Sequence, residues 1–124
     1  DGADEVTSDM TLLKGRGQDL VCEKLLASHA TAFYVMVDES KMVNKIGEKN
    51  AIPIEVIPQA AQLVLNRLSK LQAKGSLRLN AAGDNVAYSA AGNLMPGVVE
   101  HGIFADVAKA VFVGSSDGVK LLQA

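Results

Sequence analysis

Apolar and polar positions along this chain follow helical and strand periods in separate blocks. In residues 18–29, Leu20, Val21, Leu25 and Leu26 form a stripe of period 3.6, with Gln18, Asp19, Glu23 and Lys24 mostly on other faces; the pattern predicts a helix. Phe33-Tyr34-Val35-Met36-Val37 is an unbroken apolar run rich in aromatic and β-branched residues and closed by Asp38, which predicts a buried, parallel strand. Residues 52–57 alternate around Pro53, as an edge strand would. Pro58 then suits the first position of a helix whose buried face is Ala61, Val64, Leu65, Leu68 and Leu71, running to about residue 74 with Gly75 as its cap. Leu77 and Leu79 alternate with polar neighbours, and Gly83-Asp84-Asn85 turns the chain into Val86-Ala87-Tyr88, a hairpin. Only residues 89–95 separate that hairpin from Pro96-Gly97-Val98-Val99, too few for a helical crossover. Residues 106–110 read as a short helix, Val111-Phe112-Val113 as a strand, and Gly114 as the start of a polar loop.

A helix followed by a strand, with polar loops at their ends, is the grammar of a doubly wound sheet. The chain has 124 residues, 48% of them hydrophobic and 21% charged, which fits one folded domain. A net charge of −2 gives no bulk attraction to nucleic acid or to anionic membranes. No apolar run approaches the roughly 20 residues of a membrane span, and no signal peptide opens the chain. The single cysteine, Cys22, excludes an internal disulfide framework and fits a reducing compartment, so a cytoplasmic location is expected. A chain opening on Asp1 is expected to be processed or part of a longer protein.

Candidate chemistry crowds the first 24 residues. Asp1, Asp4 and Glu5 place carboxylates on a turn that includes Gly2 and Ala3, where they could accept hydrogen bonds from sugar hydroxyls; an exposed acidic segment would look the same. Lys14-Gly15-Arg16-Gly17 could cradle a phosphate or oxyanion on backbone N–H groups at the positive end of the following helix, although it lacks P-loop spacing. Glu23, one to two turns into that helix, could reach back over the glycine loop as a general base if partly desolvated, or be an ordinary surface glutamate. Lys41 follows the apolar strand, where open α/β sheets carry ligand loops. His29 and His101 lack partners at metal spacing, Cys22 lacks a histidine partner, and no basic patch interleaved with aromatics supports nucleic-acid binding.

Taken together, DGADEV at 1–6, LLKGRGQDLVCEK at 12–24, FYVMVDESKMV at 33–43, IPIEVIPQA at 52–60, PGVVEHGIF at 96–104 and VFVGSSDGVKLL at 111–122 resemble the type A ribose-5-phosphate isomerases, in family order and over nearly the whole chain. The resemblance implies cofactor- and metal-free interconversion of ribose 5-phosphate and ribulose 5-phosphate through a cis-enediolate. It implies Glu23 as the base that shuttles the proton, Asp1 and Asp4 as carboxylates that contact sugar hydroxyls and assist ring opening, and Lys14 as a lysine that binds substrate and stabilises the enediolate. It also implies Gly15 and Gly17 as backbone donors, Lys41 as a substrate contact, and a homodimer or homotetramer as the working assembly.

The implied fold is α/β: a Rossmann-like three-layer domain, incomplete here, from residues 1–48 and 103–124, with a smaller ferredoxin-like α+β domain inserted at 49–102. Three departures stand out. Arg16 and Gln18 interrupt the family's glycine run, where a side chain is expected to crowd the site, although Arg16 could instead add a phosphate contact. The family's phosphate loop and first strands have no counterpart, and neither does the second helix of the small domain. The stretch alone is therefore expected to be inactive. A non-catalytic sugar-phosphate sensor and an inactive fragment are the rival readings. The retained Glu23 speaks against the first, and exposed apolar surface would mark the second.

Overall fold

A computed structural model of the chain describes residues 1–94 and 100–123. Pro96-Gly97-Val98-Val99 lies outside the described residues. The fold is mixed α/β, and contacts divide the chain into one unit formed by residues 1–14, 23–52 and 102–124 and another formed by residues 15–22 and 53–101.

The first unit holds two three-stranded sheets. Strands β1 (Glu5–Val6) and β2 (Leu12–Leu13) pair antiparallel, and β2 pairs antiparallel with β6 (Ile103–Phe104), so a short local hairpin is completed by a strand some ninety positions later. Strand β3 (Tyr34–Asp38) pairs parallel with β7 (Ala110–Ser115), which pairs antiparallel with β8 (Gly118–Gln123). The core between them gathers Val6, Met10, Leu12, Ala27, Val35, Phe104, Val111 and Val113.

Several expectations change here. Strand β3 is parallel as expected but is not buried on both faces: Val35 is fully buried, whereas Tyr34 and Met36 are 48% and 68% exposed. Apolar residues occupy both faces of the strand, and described residues cover only one of them. Residues 106–110 form no helix; Asp106 takes a left-handed φ of 57°, which breaks a helical path before it starts. Gly114 lies inside β7, and the polar loop after it shrinks to a tight turn around Ser116 and Asp117 that leads directly into β8.

The helix α1 (Leu20–His29) runs from one unit into the other. Its inner stripe is not the expected one. Leu20 and Ala27 are buried, but Leu25 and Leu26 are exposed, Leu26 to 72%. The residues between Leu20 and Ala27 on the inward face are Glu23 and Lys24, both half-buried. A charged pair can occupy that stripe because the first unit supplies partners for both.

In the second unit, β4 (Ile54–Glu55) pairs antiparallel with β5 (Glu100–His101), and single bridges join Val56 to Leu94, Tyr88 to Leu94 and Leu79 to Val86. The last of these, with Asn80 N–H donating to the Asn85 carbonyl, is the expected hairpin. Pro58 opens a 3-10 turn (Pro58–Ala60) that continues into α2 (Ala61–Lys70), whose Val64 packs with Leu68 on Val56, Leu94 and Val86. This helix ends earlier than expected, and Gly75 does not cap it. Gln72 adopts φ 58° instead, Gln72 N–H donates to the Ser69 carbonyl and Ala73 N–H to the Leu68 carbonyl, a Schellman closure built on a non-glycine residue. Leu71, placed on the buried face by periodicity, sits in that closure and is exposed.

Candidate functional site

The turn carrying Asp1 to Asp4 is pinned from two sides. Met36 N–H of β3 donates to the Asp1 carbonyl at 2.9 Å, and Asp4 N–H donates to the Leu13 carbonyl at the end of β2 at 2.7 Å. Gly2 N–H bonds the Asp1 carboxylate at 2.8 Å, and Ala3 packs on the core. Lys14 continues the β2–β6 pairing through a bond from its N–H to the Gly102 carbonyl at 2.8 Å.

Strand pairing buries the Lys14 side chain until only 2% of it meets solvent. Its ammonium lies 3.1 Å from Asp1 Oδ2 and 3.1 Å from Glu23 Oε1, and it donates to the Gly2 carbonyl. The Phe104 ring lies beside it, 5.7 Å from Nζ to the centroid. Lys24, next along α1, sits 4.8 Å from the same ring and donates to the Ile103 carbonyl at 2.9 Å. Glu23 thus uses one oxygen on Lys14, while Oε2 is buried and has no hydrogen-bond partner among the described residues.

Asp1, Lys14 and Glu23 are therefore brought into one ion-paired cluster. Lys41 is held elsewhere, in the 3-10 turn Glu39–Lys41, which is fixed by the Asp38 carboxylate accepting from Ser40 N–H at 2.9 Å; it takes no part in the Lys14 ion pairs. Glu5, grouped with Asp1 and Asp4 on sequence, belongs to another structure altogether. It is wholly buried and accepts from the backbone N–H groups of Gly47, Lys49 and Asn50 at 2.7, 2.8 and 2.6 Å, and from Asn50 Nδ2 at 3.1 Å. Burial pushes its acidity one way, but these donors outweigh it and hold its pKa below the ordinary 4.5.

The glycine loop belongs to the second unit. Gly15 takes φ 98°, and a Cβ there would stand 2.5 Å from that of Leu20, so only glycine fits. Gly17 has open space around it, and Arg16 is exposed. At the head of α1, Val21 N–H donates to Glu55 Oε2 at 3.3 Å. The aligned peptide dipoles there favour the carboxylate. The Cys22 thiol is pushed up in pKa by its hydrogen bond with Asp19, by burial and by the charges of Asp19 and Glu55, so it stays protonated and is no nucleophile. Among the described residues no three His, Cys, Asp or Glu side chains gather as a metal site would need, and no helix is long and apolar enough to cross a membrane.

Phe104, Lys24 and Glu55 are the residues of these clusters that sequence reasoning passed over. Phe104 and Lys24 stand near Lys14 only through the long-range β2–β6 pairing. Glu55 carried a readable signal, a carboxylate inside the alternating apolar run 52–57.

Fold and cluster together define an α/β protein with an ion-paired cluster assembled around a buried lysine. Residues 1–95 match the family described as Ribose 5-phosphate isomerase A (phosphoriboisomerase A). The Ribose-5-phosphate isomerase A of Pyrococcus furiosus is 41% identical over 144 aligned positions, covering 99% of this chain and 63% of the relative. Those positions outnumber the 124 residues here, so the relative carries internal residues without counterparts in this chain. A solved D-ribose-5-phosphate isomerase in complex with phospho-erythronic acid superimposes with a TM-score of 0.93 at 39% identity, over 100% of this chain and 63% of that one. The ribose 5-phosphate isomerase A of Methanocaldococcus jannaschii does so with a TM-score of 0.92 at 36% identity, over 100% and 64%. The chain belongs to the ribose 5-phosphate isomerase A family, and it spans less than two thirds of the length of these relatives.

Proposed function

We propose that the protein interconverts ribose 5-phosphate and ribulose 5-phosphate. The observation that carries this reading is the Lys14 ammonium shared at 3.1 Å by Asp1 and Glu23, with the second Glu23 oxygen buried and unpartnered. Glu23 takes the proton from C2 of the open-chain aldose through that free oxygen. The C–H electron pair forms the C1–C2 double bond as the carbonyl π pair moves onto the C1 oxygen, giving an enediolate. The same carboxyl group returns the proton to C1, and a proton moves from the C2 oxygen to the C1 oxygen, so the ketose forms with no redox partner. Lys14 stabilises the developing oxyanion from a site already stripped of water, where a fixed charge acts most strongly. Asp1 and Asp4 accept hydrogen bonds from sugar hydroxyls and assist ring opening, the turn of Gly2 and Ala3 sets their spacing, and Gly15, Arg16, Gly17 and Lys41 contact the substrate. The complex of a similar isomerase with phospho-erythronic acid supports a phosphorylated sugar as the ligand class. The protein works as a homodimer or homotetramer in the cytoplasm, without metal or organic cofactor.

The test is conversion of ribose 5-phosphate followed by NMR in D2O. Deuterium entering C1 of the ketose supports proton transfer through a carboxylate that exchanges with solvent. No conversion by the full natural chain overturns the reading.

A further inference from the structure

Glu55 is wholly buried, and the proposed reaction makes no use of it. Its carboxylate is nevertheless well supplied with donors. Oε1 accepts from the Ser89 hydroxyl and from Asn93 Nδ2 at 2.9 Å, and Oε2 accepts from Val21 N–H at 3.3 Å. Ser89 and Asn93 close one tight turn, through Ser89 N–H to the Asn93 carbonyl at 2.7 Å and Asn93 N–H to the Ser89 hydroxyl at 3.1 Å. The same turn sends Ala90 N–H to the Gln18 carbonyl at 2.9 Å. The N-terminal end of α1 is thus gripped at two points, at Gln18 before the helix and at Val21 in its first turn.

Filling this space alone does not call for a charge. A buried carboxylate is expensive to desolvate, and an apolar side chain of similar size commonly packs as well or better. What a carboxylate adds is a directional hold on a helix N–H, reinforced by the helix dipole. The helix it holds presents Glu23 two residues after Val21. We propose that Glu55 is a positioning residue for the isomerisation: through Val21 it sets where the first turn of α1 lies, and so where the Glu23 carboxylate is presented. This inference rests on the isomerase reading above. A base displaced by a fraction of an ångström still allows substrate to bind but loses the aligned approach to C2, so the effect falls on kcat and spares KM.

The experiment compares the wild-type full natural chain with Glu55→Gln and Ser89→Ala, each assayed with ribose 5-phosphate at a temperature where circular dichroism shows it fully folded. Glu55→Gln keeps the shape but must either turn an NH2 toward the Val21 N–H or give up its two other donors. Its kcat is expected to fall roughly tenfold or more, with KM within about twofold of wild type. Ser89→Ala, which removes one donor to Glu55, is expected to lower kcat in the same direction by a smaller factor. An unchanged kcat in Glu55→Gln, even with a lower melting temperature, overturns the proposal and leaves Glu55 structural. If Glu55→Gln does not fold, Ser89→Ala decides, and an unchanged kcat there overturns it equally. A wild type that converts no substrate shows that the isomerase reading itself has failed, and the positioning role falls with it.

Discussion

Glu5 and Glu23 sit in the same unit of the molecule, both shielded from water to some degree, and their surroundings are opposite. Around Glu5, residues 47–50 wrap three backbone N–H groups and an amide side chain onto the two carboxylate oxygens. Around Glu23 a single ammonium meets one oxygen, and among the described residues no donor meets the other, which is buried. Both oxygens of Glu5 are held by donors, four in all, which fixes the carboxylate in place and favours its ionised form. Incompleteness leaves one oxygen open to a proton. Residue type does not separate these two residues; the count of donors does.

The largest break in that comparison comes from Glu23→Gln. If the bare oxygen is the base, its loss lowers kcat by roughly 10²–10⁴, while stability falls only modestly, because Lys14 keeps Asp1 as a charged partner when the Glu23 charge is removed. Isomerisation rates and thermal melts of the two proteins check it. A variant that loses stability but keeps its rate would put Glu23 with Glu5 among the structural carboxylates.

Lys14→Met follows. It removes the charge that lets Asp1 and Glu23 stand on either side of one point, so both rate and stability fall. The rate loss is expected at about 10²–10³, as for removal of a group aimed at a developing oxyanion. The stability loss stays below the roughly 3–5 kcal/mol of a fully buried pair, because Asp1 and Glu23 both reach solvent and can be rehydrated. Denaturant titration beside the kinetic assay measures the two separately.

Glu5→Gln reverses the pattern. Replacing a saturated carboxylate weakens several charge-assisted hydrogen bonds, a loss of about 2 kcal/mol in stability with kcat per folded molecule unchanged. The pH dependence has a definite sign. The folded pKa of Glu5 lies below 4.5, so its contribution is fully present above the unfolded value and is lost as pH falls through the folded one. Wild type should therefore lose stability on acidification below about 4.5, and Glu5→Gln should lose less over the same interval. Melting curves from pH 6 downward, about one unit apart, read this directly.

Legibility in the sequence followed the range of the interactions. The helix α1, strands β3 and β7 and the hairpin around residues 80–85 were readable because periodicity and turn residues act within a few positions. Strand β8 was missed because most of its side chains stay exposed, which blurs the alternation in Val119-Lys120-Leu121-Leu122-Gln123. The inward face of α1 was misread because a hydrophobic stripe is the usual guide, and here Leu25 and Leu26 point out while Glu23 and Lys24 point in. That inversion depends on Lys14 and Phe104, which reach the helix only after β2 pairs with β6. Glu5 was indistinguishable from Asp1 and Asp4 because its donors arrive from residues 47–50. Glu55 could have been flagged by its place in an apolar run, but its partners Ser89 and Asn93 could not.

The smallest expected effect concerns backbone strain rather than charge. Gln18 holds φ 70° in the loop between Lys14 and Glu23, with its N–H on the Gly15 carbonyl and its own carbonyl accepting from Ala90. A left-handed conformation costs a non-glycine residue about 1 kcal/mol, and both backbone bonds survive replacement by glycine. Gln18→Gly relieves that cost and gives back part of it as unfolded-chain entropy, for a net gain of about 0.5 kcal/mol and a melting temperature a degree or two higher. The donor-count rule assigns no catalytic part to this residue, so the rate should not move. A slower enzyme would show that the strained turn helps to hold the head of α1. The distinction between saturated and incomplete carboxylates would then have to include the backbone that presents them.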